Sequence, residues 1–350
     1  MPNYVFIFAA MMGSGKRRMS WIWLLIGFAL VQLMMFVPGA GEFYARHLYP
    51  AITAVLSFPA SFTHLSFGCI LLYLASFIVV LVWLIRAIVK HKFSPVFVLK
   101  YVVTIYVWFY LSWGICYSRD SIYERAALEH LPYDEEQFTA FLSDYSDSIN
   151  AAYCTEELSK DFVQEEVYKI YNNYDDQFGL CKPLRWKRAK TMMFEGLTSK
   201  MGISGYYYGF FGEFHINGDC LPFEYPFVYA HEYSHSLGVA NEAEANLHAY
   251  IACTSSSNQA MRYAGYLGLF GYIYNNASQL LSQEAASKWL KTIRPEVVEM
   301  YFAKASHWES LYSQRIGKIQ SKVYNAFLKS NGIPSGIKNY SEVVSLLMAL

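Results

Sequence analysis

The chain has 350 residues, 54% of them hydrophobic and only 16% charged, and its formal net charge is zero. An ordinary soluble domain is about 25% charged, so part of this chain is built for an apolar medium. A nucleic-acid partner is excluded, because no surplus of cations exists to displace counterions from a phosphate backbone. Disorder is excluded by 30 Tyr, 25 Phe and 8 Trp, which need burial.

In chain order, Gly13-Ser14-Gly15-Lys16 hints at a phosphate loop, but Arg17 stands where that motif needs Ser or Thr. It reads instead as the basic flank of a membrane span. Three apolar runs follow, at 21–38, 65–85 and 96–117, with Lys100 the one charge among them. Each is about the 20 residues that cross a hydrocarbon core. Residues 1–117 are therefore expected to form a membrane domain of three transmembrane helices in contact with lipid. Lys16, Arg17 and Arg18 precede the first span, and Arg86, Lys90 and Lys92 lie between the second and third, against Arg46 alone in loop 39–64. The positive-inside rule puts the N-terminus in the cytoplasm and residues 118–350 outside it, which is the periplasmic side of an inner membrane if the source is bacterial. Lys100 is expected to snorkel to the inner interface. Trp108, Phe109, Tyr110, Trp113 and Tyr117 are expected to form an aromatic belt at the outer end.

From 118 on, charge returns and the periodicity is helical, over 120–131, 134–153 (with Asp134 as cap) and 155–178. Residues 190–221 carry six glycines between aromatics and read as short strands and turns. Helices are then expected over 226–237, 242–253, 259–281, 283–291, 294–330 and 340–349. The fold class is mostly α: three transmembrane helices, then an α+β domain with a small β-sheet ahead of the helix at 226.

That helix carries the chemistry. His231, Glu232 and His235 form H-E-x-x-H. Positions four apart share a helix face, so both imidazoles can hold one zinc ion. Glu232 is placed to take a proton from water at the metal. Pro226 suits the start of the helix and Gly238 a left-handed stop. Zinc needs a third ligand, and Glu242 and Glu244 both offer one. Asn241 suits the next N-cap. Glu242 then shares a face with Asn246, whereas Glu244 points about 200° away, which favours Glu242. A fourth protein ligand, from Glu244 or His248, would instead favour a structural zinc in a non-catalytic membrane sensor or scaffold. His215 and His248 are expected to be packing residues. Tyr207, Arg262, Tyr263 and Tyr266 are weighed as stabilisers of a reaction oxyanion, and Glu213–Asn217 as an edge strand for an extended substrate. No C-x-x-C occurs, and Cys154, Cys181, Cys220 and Cys253 are expected to be free rather than paired.

Glu242-x-x-x-Asn246 after H-E-x-x-H resembles the E-x-x-x-D arrangement of gluzincin metallopeptidases, with Asn in place of the acid. That resemblance implies His231, His235 and Glu242 as zinc ligands, Glu232 as general base and Asn246 as the residue that steadies a ligand histidine. The wider chain resembles the membrane-anchored zincin-like family known as domain of unknown function 3810. The similarity rests on Trp113–Arg119, on GYYYGFFGEFHIN at 205–217, on the 231–246 run, on Arg262–Tyr266 and on the segment from Tyr324 to Gly332. Together these imply a zincin-like fold and a zinc-dependent hydrolase acting on a peptide or protein substrate.

Overall fold

The computed structural model describes residues 15–89, 95–174 and 178–350, with side chains from residue 19. Gly13 and Ser14, and Lys90 and Lys92 of the basic loop, lie outside the described residues. The architecture is mostly helical with one small mixed sheet. Helices Gly15–Phe36, Phe67–Val89 and Pro95–Ser112 each contain a stretch long and apolar enough to cross a membrane. Their large side chains, among them Leu33, Phe77 and Ile88, are exposed, as lipid-facing surfaces are. Lys100 donates to Ser20 Oγ, near the start of the first of these helices.

The third span is shorter than the sequence suggests. It ends at Ser112 rather than 117, and Gly114–Ser118 form a separate 3-10 turn. Ile115 and Cys116 are buried in the same core as the residues after 118. The expected belt is therefore divided. Trp108 is partly exposed and donates to Phe210 O, but Trp113 is buried against the protein. The loop 39–64 is likewise structured, with helix Tyr49–Ser57 flanked by shorter turns. Tyr44, Ala45 and Tyr49 from this loop are buried in the core shared with the rest of the chain.

Among the described residues the sheet has three strands, β1 (Ala189–Thr191), β2 (Gly205–Tyr208) and β3 (Glu213–Ile216), in the order β1-β3-β2. β1 runs parallel to β3 and β2 antiparallel to it, with Gly205 opposite Ile216 and Tyr208 opposite Glu213. Glu213–Asn217 is thus the centre of the sheet, not its edge, and β1 and β2 are the two edges. The β2–β3 hairpin is fastened to the spans: the Glu213 carboxylate accepts from Ser66 Oγ and from the N–H groups of Phe67 and Gly68 at 2.9–3.0 Å. It satisfies the free N–H groups where the second span begins.

Beyond the sheet, the long helices follow the apolar pattern. Asp134 caps Glu135–Ala152 through Gln137 N–H, as expected, whereas 120–131 yields only one turn, Ile122–Arg125. The run 294–330 is two helices, Pro295–Leu311 and Gln314–Ser330. Tyr312 is extended between them, and the Ser313 N–H leaves the helical ladder to donate to Lys200 O at 2.9 Å.

Candidate metal centre

The helix Tyr225–His235 is buried at every residue, so it is gripped on all sides rather than packed by one stripe. Pro226 opens it, in the first turn where the missing N–H costs nothing. Gly238 turns the chain with φ of 92°, a conformation that favours glycine. This turn brings the Val239 carbonyl back to His235, whose Nδ1–H donates to it at 2.7 Å. That bond leaves the lone pair of His235 Nε2 on the other side of the ring.

The chain then re-enters a helix, Glu242–Thr254. Asn241 is its cap, accepting from Glu244 N–H at 3.1 Å. A second cap, not foreseen from the sequence, comes from Asn339, whose Oδ1 accepts from the N–H groups of Glu242 and Ala243 at 3.0 and 3.1 Å. The first turn of this helix is thereby held against the His231 helix. Three atoms converge there: His231 Nε2, His235 Nε2 and Glu242 Oε2. They are separated by 3.2 Å (His231 to His235), 3.2 Å (His231 to Glu242) and 3.4 Å (His235 to Glu242). A tetrahedral zinc with bonds of about 2.0–2.1 Å sets its ligands about 3.3 Å apart. Among the described residues this is the one group of three or more His, Cys, Asp or Glu side chains spaced to hold a metal.

Each arm is braced. Tyr324 Oη donates to Glu242 Oε1, leaving Oε2 to face the histidines. Asn246 interacts with the His231 side chain, and its Nδ2 also reaches Tyr340 O at 3.4 Å. The ring of Tyr340 lies nearly parallel to that of His231, 6.4 Å away. From just beyond the third apolar helix, Trp113 Nε1 donates to His235 O at 3.1 Å. Burial and the charge of His235 pull the His231 imidazole down, with Glu242 opposing. Burial would also lower His235, but the Glu242 carboxylate overrides it and raises the ring to about 9. Glu242 is held well below the usual carboxylate range, its own burial outweighed by the two imidazoles. The cluster thus favours an ionised carboxylate with positive charge beside it.

Glu232 stands next to this cluster and is buried. Burial pushes its carboxyl up to about 8, His235 opposing and Glu242 adding. Gly205, at the start of β2, allows that position: a Cβ there would lie 2.5 Å from Glu232 Oε1. Glu244 points away, as the helix geometry requires, and forms an ion pair with the buried Arg125. His248 Nδ1 meets Tyr174 Oη at 3.2 Å, and His215 stacks on Tyr206 at 4.4 Å, so both are packing residues. A cavity of about 480 Å³ opens over His231 and Glu232, bounded by 201–205 on one side and by Gln320, Tyr324 and Tyr340 on the other. None of the four residues weighed for an oxyanion lines it. Tyr207 bonds Tyr49, Arg262 holds the carbonyls of Ser256 and Ser257, Tyr263 reaches Met300, and Tyr266 packs against Tyr145 and Tyr250. The polar groups that line it include Asn246, from the motif run itself, and Tyr272, Lys304, Tyr324 and Tyr340, which come from segments too distant in sequence for spacing to link them with the motif. All six cysteines are free.

Residues 44–348 match the family described as Protein of unknown function (DUF3810). The chain belongs to this family. The match starts in the first loop and ends in the last helix, so it takes in every residue of the cluster and two of the three spans. No curated protein and no solved structure matches the chain.

Proposed function

We propose that this DUF3810 protein is a membrane-anchored zinc-dependent peptidase with a zincin-like domain over residues 118–350, its site facing away from the cytoplasm. The observation that carries the reading is the convergence of His231 Nε2, His235 Nε2 and Glu242 Oε2 at 3.2–3.4 Å. Glu242 Oε2 is buried and has no hydrogen-bond partner among the described residues, and such an atom beside two imidazole nitrogens is costly unless a cation sits between them. Nitrogen and carboxylate donors at this spacing suit zinc.

A zinc ion held there would polarise water and a substrate carbonyl. Glu232 takes the proton from water and returns it to the leaving amine, and burial to about 8 equips it for both roles. Tyr324 and Asn246 hold Glu242 and His231 in place. An open site, not a closed structural one, is favoured because Glu244 and His248 are engaged elsewhere. A peptide substrate is favoured because residues 203–205, leading into the edge strand β2, border the cavity beside Glu232. An extended chain could add to that edge. The test is Glu232→Gln in the full-length protein: zinc should stay at the wild-type stoichiometry while cleavage of a mixed peptide library is abolished. Undiminished cleavage with zinc bound would remove Glu232 from the role of base.

A further inference from the structure

Helix Gln314–Ser330 is amphipathic in a way that the cleft does not explain. Ile316, Ile319, Val323 and Phe327 recur at helical spacing on one face, and Ile319 and Val323 are 59% and 66% exposed. These four, with Met201, Gln320 and Tyr324, line an almost wholly apolar groove of about 480 Å³. Arg315, Lys318, Lys322 and Lys329 lie together to one side of that face, about 90–150° around the axis from it, and the helix has no acidic residue, in a chain whose net charge is zero. Four cations beside an exposed apolar stripe are the signature of a helix lying in an anionic lipid surface.

The position of the groove relative to the spans agrees. At one end, Phe327 packs on Phe109 at 6.1 Å, three residues and so about 5 Å inside the end of the third span at Ser112. At the other end, the helix meets Lys200 of the short helix Glu195–Lys200 through Ser313. That short helix begins beside Phe194, which packs on Tyr73 at 6.4 Å. Tyr73 is six residues, about 9 Å, inside the second span. Phe194 is held at φ of 62°, a strained conformation for a bulky residue, and its ring is 66% exposed beside a 45% exposed Leu197. The apolar rim therefore touches two spans at points inside their ends, and is continuous with their lipid-facing surface.

We infer that helix Gln314–Ser330, with Phe194 and Leu197, is immersed in the leaflet on the domain's side of the membrane, so that the cleft opens at the lipid surface and admits membrane-tethered polypeptides. Met201, Gln320 and Tyr324 line both the groove and the cavity over His231, so a chain reaching the metal cluster past them travels along the bilayer. The substrate half rests on the peptidase reading; the membrane half does not.

The test uses the full chain in nanodiscs of phosphatidylglycerol and phosphatidylcholine, with Cys154 and Cys220 changed to Ser because the other four cysteines are buried. A spin label is placed by Val323→Cys and, separately, by Leu197→Cys. Both labels should collide with oxygen at least tenfold more often, relative to a water-soluble nickel chelate, than the free label does in buffer. Ready access to nickel, as in water, or exclusion of both reagents, as beneath a protein partner, would overturn the inference. In the same discs a mixed peptide library carrying a palmitoyl anchor should be cleaved at least tenfold faster than the unanchored library; equal rates would overturn the substrate half. Lipid-immersed labels with no cleavage of either library would count against the peptidase reading and leave the membrane docking standing.

Discussion

Gly205→Ala isolates the position of Glu232 from the metal cluster. A Cβ at Gly205 would lie 2.5 Å from Oε1, 2.7 Å from Cγ and 2.9 Å from Cδ of Glu232, whereas ordinary contact begins at 3.4 Å. The carboxylate arm must retreat by about 0.9 Å, and all three atoms are crowded, so rotating the terminal group alone does not relieve the clash. The backbone should tolerate the change, because Gly205 is in a strand and has no positive φ, and alanine costs less entropy than glycine on folding. His231, His235 and Glu242 are not touched. Displacing a reacting group by about 1 Å costs on the order of 100-fold in rate, or about 2.7 kcal/mol in the barrier. Zinc per chain by mass spectrometry and peptide-library cleavage, measured on one preparation, should therefore separate: zinc unchanged, cleavage down about 100-fold. Cleavage within twofold of wild type would show that Glu232 does not act from this position, and lost zinc would show that the strand supports the ligands instead.

Glu242→Ala should lose zinc, whereas Glu244→Ala should keep it and destabilise the fold by about 3 kcal/mol, because Arg125 is left buried with Glu42 at 3.8 Å as its remaining carboxylate, its other bonds going to the neutral carbonyls of Asp120 and Phe178; metal content and chemical denaturation read the two effects. Lys187 is buried, donating to Thr53 Oγ1 at 2.8 Å and Ser236 O at 3.3 Å beside the Tyr207 ring. Burial pulls its ammonium from 10.5 to about 7, with only Cys181 opposing. The unfolded chain then binds more protons between pH 7 and 10.5, so stability rises with pH across that window. Lys187→Met should flatten the rise in unfolding temperature between pH 7 and 10, and an equal slope in both proteins would refute the assignment. A reporter active only outside the cytoplasm, fused after residue 350, should give signal; silence there, with activity from a cytoplasmic reporter, would reverse the proposed orientation.

The features legible in the sequence were those set by short spacing. Three apolar runs identify three helices able to span a bilayer, because length and lack of charge alone decide that. H-E-x-x-H places two imidazoles on one face because helix geometry is fixed. The same geometry separates Glu242 from Glu244, and the structure keeps them apart, one on the histidines and the other on Arg125. What the tertiary structure decided was everything that closes around that helix from far along the chain. Trp113 from the end of a span, Asn339 as a second cap and Tyr324 on Glu242 lie about 80 to 120 residues from their partners, and no period in the sequence links them. The nearby tyrosines that proximity recommended, Tyr263 and Tyr266, were used for packing instead. β3 reads equally well as an edge or a centre, since alternation reports burial and not the number of neighbours; only the parallel pairing with β1 made it central. The third span stopped at Ser112 because Ile115 and Cys116 found a protein core as apolar as lipid. Composition alone cannot tell those two media apart; contact with the rest of the chain does.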